Sequence, residues 1–417
     1  MKKACFYGLP NQVPDEVVIS MRINAFVNPA MGATLLFGAL CMTRCASSDD
    51  AVNSNVAMDS GVQMPGGDAG AAGVQTVVET VTRGLTHPWA IEFLPDGRAL
   101  ITERPGRLRI LGTDGTLSGP VEGVPDVYAN GQGGLLDVLR SPTFADDSTI
   151  YLCYSAREGR SSGSEVARAR LEGAALVDLQ VVFSASPKTT QGSNHYGCRL
   201  SFDRTGALMI GIGDRFNRLN DAQVMNNHLG KILRVRPDGA VPDDNPFVGD
   251  SDAMPEIWSY GHRNIQGMAV HPITGDVWTT EHGPAGGDEV NRPQAGGNHG
   301  WPLACYGSHY DGRRIPDDHA GQGFAEPIHY WTPSVAPSGL HIYGGDLFVE
   351  WRGHIFAGAL AGEHLVRLEM DGETVVSEER LLNGRGWRIR DVTESPDGSI
   401  YVITDANDGR VVRITRR

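Results

Sequence analysis

Residues 198–215 read CRLSFDRTGALMIGIGDR. Two alternating apolar runs flank Asp-Arg-Thr-Gly, a turn in which the glycine supplies positive φ, so the stretch reads as a β-hairpin. The same figure, a strand, a turn of the Pro-Asp-Gly type, a second strand and then a loop with a third, returns along the chain. The copies are WAIEFLPDGRALITERPGRLRIL (89–111), LLDVLRSPTFADDSTIYLCYSA (135–156), GMAVHPITGDVWTTEHG (267–283), GLHIYGGDLFVEWRGHIFAGAL (339–360) and VTESPDGSIYVITDANDGRVVRI (392–414). Recurrence at intervals of roughly 45 to 80 residues suits four-stranded blades with insertions, and it predicts an all-β, six-bladed β-propeller over residues 74–417. VQTVVETVTRGL (74–85) precedes the first copy and the chain ends on VVRITRR, so both ends are expected in one blade. Closing the ring that way removes the exposed edges of an open sheet.

Composition agrees with many short strands and tight turns: 53 glycines and 24 prolines in 417 residues, with 21% charged and 40% apolar residues. A formal net charge of −14 excludes a nucleic-acid partner, which needs a basic patch. The N-terminal part differs. MRINAFVNPAMGATLLFGALCMTRCASS (21–48) has a basic start, a short apolar run and small residues after it, the order of an export signal. The run is too short to span a bilayer. Residues 1–20 carry acids and prolines ahead of that order, so the true start is expected at Met21. The domain reading is therefore an export signal region over 1–45, a disordered tether over 46–73 and the propeller from 74 onward. The protein is expected to be exported, either periplasmic or held at a membrane by a lipid on Cys41 or Cys45, although neither cysteine follows the usual small-residue pattern.

Of six cysteines, Cys153, Cys198 and Cys305 fall in the propeller. Three cannot all pair, and their spacing matches no zinc motif. A Cys153–Cys198 bridge and three buried thiols both stay open.

Loops at one end of a propeller's channel converge from blades far apart in sequence. Polar residues stand at equivalent places there: Gln132 before the second blade's inner strand, His195 before the third, Arg263 and Asn264 before the fourth, and Arg388 with Arg390 at the sixth. Three guanidiniums aimed at one mouth imply a polyanionic small ligand. The competing reading pairs them with nearby acids. His195 alone is as often structural as catalytic. Asp214, however, ends the strand that hairpins with the one after His195, and adjacent strands lie about 4.8 Å apart, so its carboxylate reaches the imidazole. That pairing is expected to orient the ring and raise its basicity, as a general base requires. EHGPAGGDEVNRPQAGGNHGWP (281–302) is rich in glycine and acids without zinc spacing, and oxygen-only ligation suits calcium.

Taken together, WAIEFLPDGRALITERPGRLR, GQGGLLDV, SNHYGCRLSFDRTGALMIGIGD, GHRNIQGMA, EHGPAGGDEVN, GNHGWP and RIRDV resemble the PQQ-dependent soluble aldose sugar dehydrogenases, the soluble quinoprotein glucose dehydrogenase family. The resemblance implies a six-bladed propeller with PQQ and calcium as cofactors. It implies His195 as proton acceptor with Asp214 as its partner, Arg263 as a catalytic cation, and Gln132, Arg263, Asn264, Tyr310, Arg388 and Arg390 against the cofactor. It further implies calcium on the carbonyls of Gly283 and Pro284, and a second, structural calcium near Glu289 and His299. Tyrosine often stands in the family where this chain has His299, which is harmless if the ligand is the main-chain oxygen. Ala361 replaces a family lysine that touches the cofactor.

The activity so implied is oxidation of an aldose at C1 to the lactone, with His195 taking the hydroxyl proton, hydride passing to the quinone, and an external electron acceptor completing the cycle. The alternatives from the sequence are an exported propeller that binds carbohydrate or protein after losing the cofactor, and a calcium-dependent lactonase.

Overall fold

A computed structural model describes residues 74–417. The export signal region, the Met21 start, the tether and Cys41 and Cys45 lie outside the described residues. Among the described residues, six sheets are arranged as the blades of a β-propeller, with a two-stranded ribbon, Ala285–Gly286 against Gly307–Ser308, as an addition. The inner strands are Pro88–Phe93, Leu135–Arg140, Gly197–Phe202, Ile265–Val270, Pro337–Ile342 and Ile389–Glu394. Each touches the next in the series, and the last touches the first.

Three of the six inner hairpins, in blades 1, 3 and 6, owe their form to one repeated turn. In Leu94–Arg98, Asp203–Ala207 and Ser395–Ser399 the first N–H donates to the carbonyl of the fifth residue at 2.7 to 2.9 Å, and the fourth residue's N–H donates back to the first carbonyl. That fourth residue is Gly97, Gly206 or Gly398, each with φ between 80° and 87°, a region closed to most side chains. Strands next to the axis are covered on both faces by neighbouring blades, so alternation gives way to continuous apolar runs: all five residues of Leu208–Ile212 are buried. At the rim, Thr374–Leu381 has no buried residue.

Two expectations needed correction or resolution. The first blade has three strands, Pro88–Phe93, Ala99–Glu103 and Arg107–Leu111, not four. Beyond Leu111 the chain is rich in glycine and carries Pro120 and Pro125, which lack the N–H a ladder needs, and it forms only isolated bridges, Leu111 to Leu117 and Glu122 to Ala175. The cysteine question resolves to a Cys153–Cys198 disulfide, joining the second strand of blade 2 to the inner strand of blade 3, with Cys305 free and buried. The shared terminal blade is present: Thr76–Leu85 pairs antiparallel with Gly409–Arg416.

All six inner strands break register with their hairpin partner near their first residues, at Pro88/Ala90, Leu135/Asp137, opposite Gly211/Ile212, and at Ile265/Gly267, Pro337/Leu340 and Ile389/Asp391. Bulges at a rim re-aim side chains. Here they turn the residues entering each inner strand toward one channel mouth. Below the mouth the axis is plugged by Arg199, which donates to Asp137 of blade 2 (3.2 Å) and to the Gln266 carbonyl of blade 4 (2.5 Å), forms an ion pair with Asp391 of blade 6 (3.0 Å), and lies 4.1 Å from the Trp89 ring of blade 1.

Candidate active site

His195 stands two residues before its inner strand in a left-handed conformation (φ 52°), held there by three contacts. Its backbone N–H donates to Gln132 Oε1 (2.8 Å), its carbonyl accepts from Arg215 N (3.2 Å), and its Nδ1 meets Asp214 Oδ1 at 2.7 Å. Close approach of the two strands requires Gly213, where a Cβ would lie 2.4 Å from the His195 carbonyl oxygen. Asp214 Oδ1 also accepts the Phe216 N–H (2.7 Å), and Oδ2 accepts Trp301 Nε1–H (2.8 Å). With those donors on the carboxylate, the imidazole must present Nδ1–H to it, which leaves Nε2 as the free lone pair. Among the described residues Nε2 has no hydrogen-bond partner.

The electrostatics modify the sequence expectation. Burial lowers the His195 pKa, the Arg263 charge lowers it further, and together they outweigh the rise that Asp214 causes. The ring is therefore neutral, with its basicity reduced and not raised. Burial pushes Asp214 up, but His195 and Arg263 more than offset this and keep it ionised.

Arg263 is 4% exposed. Its NH1 donates to the carbonyls of His282 (3.1 Å) and Gly283 (2.6 Å), its NH2 to Tyr310 Oη (3.2 Å), and its Nε is buried without a partner. Its neighbour Glu281 accepts the backbone N–H of Arg263, not the guanidinium. Arg388, exposed, donates to the Leu360 carbonyl (3.2 Å). Neither guanidinium has a carboxylate partner among the described residues. Arg390 differs: it pairs with Asp405 (2.7 Å), which also holds His87, and it donates to Gln266 Oε1, while its Nε is buried and unbonded. Pairing with a local acid thus accounts for one of the three arginines. Gln266 in turn donates to Asn264 Oδ1, tying Asn264 and Arg390 together.

The segment read for calcium lies beside this mouth. Gly283 and Pro284 are buried, and Gly283 N donates to Asp288 Oδ1. Glu289 is buried next to Glu281, and the Asn291 amide donates to both at 2.9 Å. Burial, then the Glu281 charge, drive the Glu289 pKa well up. Asn291 Oδ1 and both ring nitrogens of His299 are buried without partners, and the His299 ring stacks on His262 at 4.4 Å. Among the described residues no group of three or more His, Cys, Asp or Glu side chains is disposed to hold a metal ion.

The sequence reading missed several residues that complete the mouth. Trp301 holds Asp214, and Arg215 fastens the His195 loop by three 3.0 Å bonds to the carbonyls of Asn194, Ser162 and Gly192, with its guanidinium 3.7 Å from the Tyr196 ring. His282 lies among Arg263, His195 and Arg390 with Nε2 buried and unbonded; burial and then, chiefly, the Arg263 charge lower its pKa to about 3. These residues follow no motif spacing, because each acts through a contact between distant segments.

Known proteins show the same arrangement of chain. The sequence pattern of the family described as Glucose / Sorbosone dehydrogenase matches residues 85–413. Aldose sugar dehydrogenase YliI of Escherichia coli (strain K12) is 43% identical over 353 residues, which cover 83% of this chain and 95% of that protein. The crystal structure of the soluble aldose sugar dehydrogenase from Escherichia coli in the apo-form has a TM-score of 0.79 at 42% identity, covering 82% of this chain and 100% of that one. The PQQ-bound form of aldose sugar dehydrogenase from Streptomyces coelicolor has a TM-score of 0.69 at 26% identity, covering 83% and 100%.

Proposed function

Because the chain belongs to the glucose/sorbosone dehydrogenase family of oxidoreductases, we propose that it oxidises an aldose at C1 to the lactone, with PQQ as resident cofactor and an external acceptor to reoxidise it. The observation that carries this reading is a base beside an unpaired cation: His195, locked through Nδ1, next to Arg263, which like Arg388 of the sixth blade lacks a carboxylate partner among the described residues. A binding module needs the cations but not the base.

The residues fit a tricarboxylate quinone. Orphaned Nε groups of Arg263 and Arg390 and the unpaired Arg388 would hold carboxylates, with Gln132, Asn264 and Tyr310 around them. PQQ bound there would supply a two-electron acceptor for the C1 hydride. Within the protein, His195 Nε2 takes the proton of the anomeric hydroxyl. Asp214 keeps the tautomer that makes this feasible and stabilises the imidazolium once formed. Arg263 adds a fixed positive field in a site shielded from water. Calcium also fits, through oxygen donors: Glu289 and the unbonded Asn291 Oδ1 would take one ion with main-chain carbonyls. An ion on Gly283 and Pro284 would share the Gly283 carbonyl with Arg263.

Adding PQQ and calcium to the purified apoprotein and following aldose-dependent dye reduction tests the proposal. His195→Ala should lower turnover by about 10²–10⁴ while cofactor titration is nearly unchanged. No reduction with any aldose would overturn the reading. The export-signal reading adds a location, periplasmic or lipid-tethered. Retention of the mature chain with membranes, against release in a periplasmic extract, separates the two.

A further inference from the structure

We infer that Phe216 is a sugar-positioning residue, the apolar wall on which the pyranose rests while its anomeric hydroxyl faces His195. The inference deepens the proposed function and rests on it. Phe216 is a bulky residue in the left-handed region (φ 61°), directly after Arg215 in the same region (φ 59°). Both are sterically disfavoured there, and such outliers cluster at functional sites. The conformation is enforced from both sides: the Phe216 N–H is bonded to Asp214 Oδ1, and the Arg215 guanidinium is fastened to three carbonyls.

The result is an aromatic ring 38% exposed at the mouth instead of packed in the core. It meets the His195 ring edge to face, with centroids 5.0 Å apart and planes at 85°. On its other side lies Tyr310, 57% exposed, at 6.1 Å and 31°. A ring sandwiched between the two would need about 7 Å, twice a van der Waals spacing. The pair is therefore a wall and not a slot. A pyranose has an apolar C–H face and a polar rim. Laid against Phe216 it buries the face and directs rim hydroxyls sideways, toward His195 Nε2 beside the wall.

The test uses Phe216→Gly, which removes the ring and relaxes the backbone, and Phe216→Tyr, which keeps a ring. In saturation-transfer NMR with selective aromatic irradiation, glucose on the full chain should take up saturation on one set of C–H protons. That signal should vanish in Phe216→Gly and persist in Phe216→Tyr. With PQQ and calcium supplied, KM for glucose should rise by about tenfold or more in Phe216→Gly, with a smaller fall in kcat, unaltered PQQ titration and no loss of thermal stability. Wild-type transfer and KM in Phe216→Gly, with wild-type turnover present, would overturn this inference alone. A wild-type chain that oxidises no aldose would overturn it together with the proposed function.

Discussion

Asp214→Asn keeps the shape of the side chain and replaces one acceptor oxygen by an NH2 donor. The carboxylate serves three N–H groups: His195 Nδ1–H and the Phe216 amide on Oδ1, and Trp301 Nε1–H on Oδ2. With the asparagine oxygen at the Oδ1 position, its NH2 opposes Trp301 Nε1–H. Flipped, the NH2 opposes the Phe216 N–H and forces His195 to carry its proton on Nε2, where the base is needed. The first orientation strands one buried donor, at about 1–3 kcal/mol, and turns two charge-assisted bonds into neutral ones at about 1 kcal/mol each, so the expected destabilisation is about 3–5 kcal/mol. Turnover should fall by about 10²–10⁴, through the flipped population and through loss of the charge that stabilises the imidazolium. Denaturant unfolding gives the first number, and the rate of cofactor reduction on mixing with aldose gives the second. A variant with wild-type stability and reduction rate would refute the assignment of Asp214 as the group that sets the His195 tautomer.

The depressed His195 pKa places the acid limb of kcat/KM below the ordinary histidine value of about 6.5, and an acid limb above 6.5 would contradict it. His282, at about 3, shifts the same way; the unfolded chain takes up protons that the folded one refuses, so stability should be lost as pH falls from about 6.5 toward 3, measurable by unfolding across that range. Replacing Cys153 and Cys198 by alanine opens a crosslink spanning 45 residues and should cost about 4 kcal/mol in chain entropy, seen as a lower denaturant midpoint. Arg388 reaches the Leu360 carbonyl, directly beside Ala361. Arg388→Ala should therefore weaken PQQ binding by about tenfold to a hundredfold, and Ala361→Lys in that background should restore much of it; titration of both forms at fixed calcium decides.

The propeller was legible because its determinants are local. In three of the six inner turns a glycine fourth in the turn, with an apolar run on each side, writes the hairpin into about fifteen residues, and repetition of strand and turn writes the ring. The missing strand of blade 1 was less legible, since it depends on prolines breaking a pattern rather than making one. At the site, His195, Arg263 and Arg388 could be found because each stands at an equivalent point in its blade, and Asp214 because it ends the strand that hairpins with the one after His195. Trp301, Arg215 and Gln266 could not, because what matters is the carboxylate or carbonyl each meets across the mouth. The sign of the His195 shift was out of reach for the same reason: a sequence shows the neighbouring acid but not the burial that outweighs it.

The shared blade makes time part of the architecture. Strand Thr76–Leu85 is made by a ribosome well before Gly409–Arg416, and it has no ladder until that strand exists. Until then the sixth sheet presents a raw edge, and Arg388 and Arg390, carried by that sheet, have no fixed place opposite His195. The active site is therefore complete only once the shared blade is paired, and the capacity to hold a polyanion reports that the circle has shut. A chain cut before Gly409 would keep five blades' worth of apolar sequence, yet it would be a sticky open arc without a formed mouth.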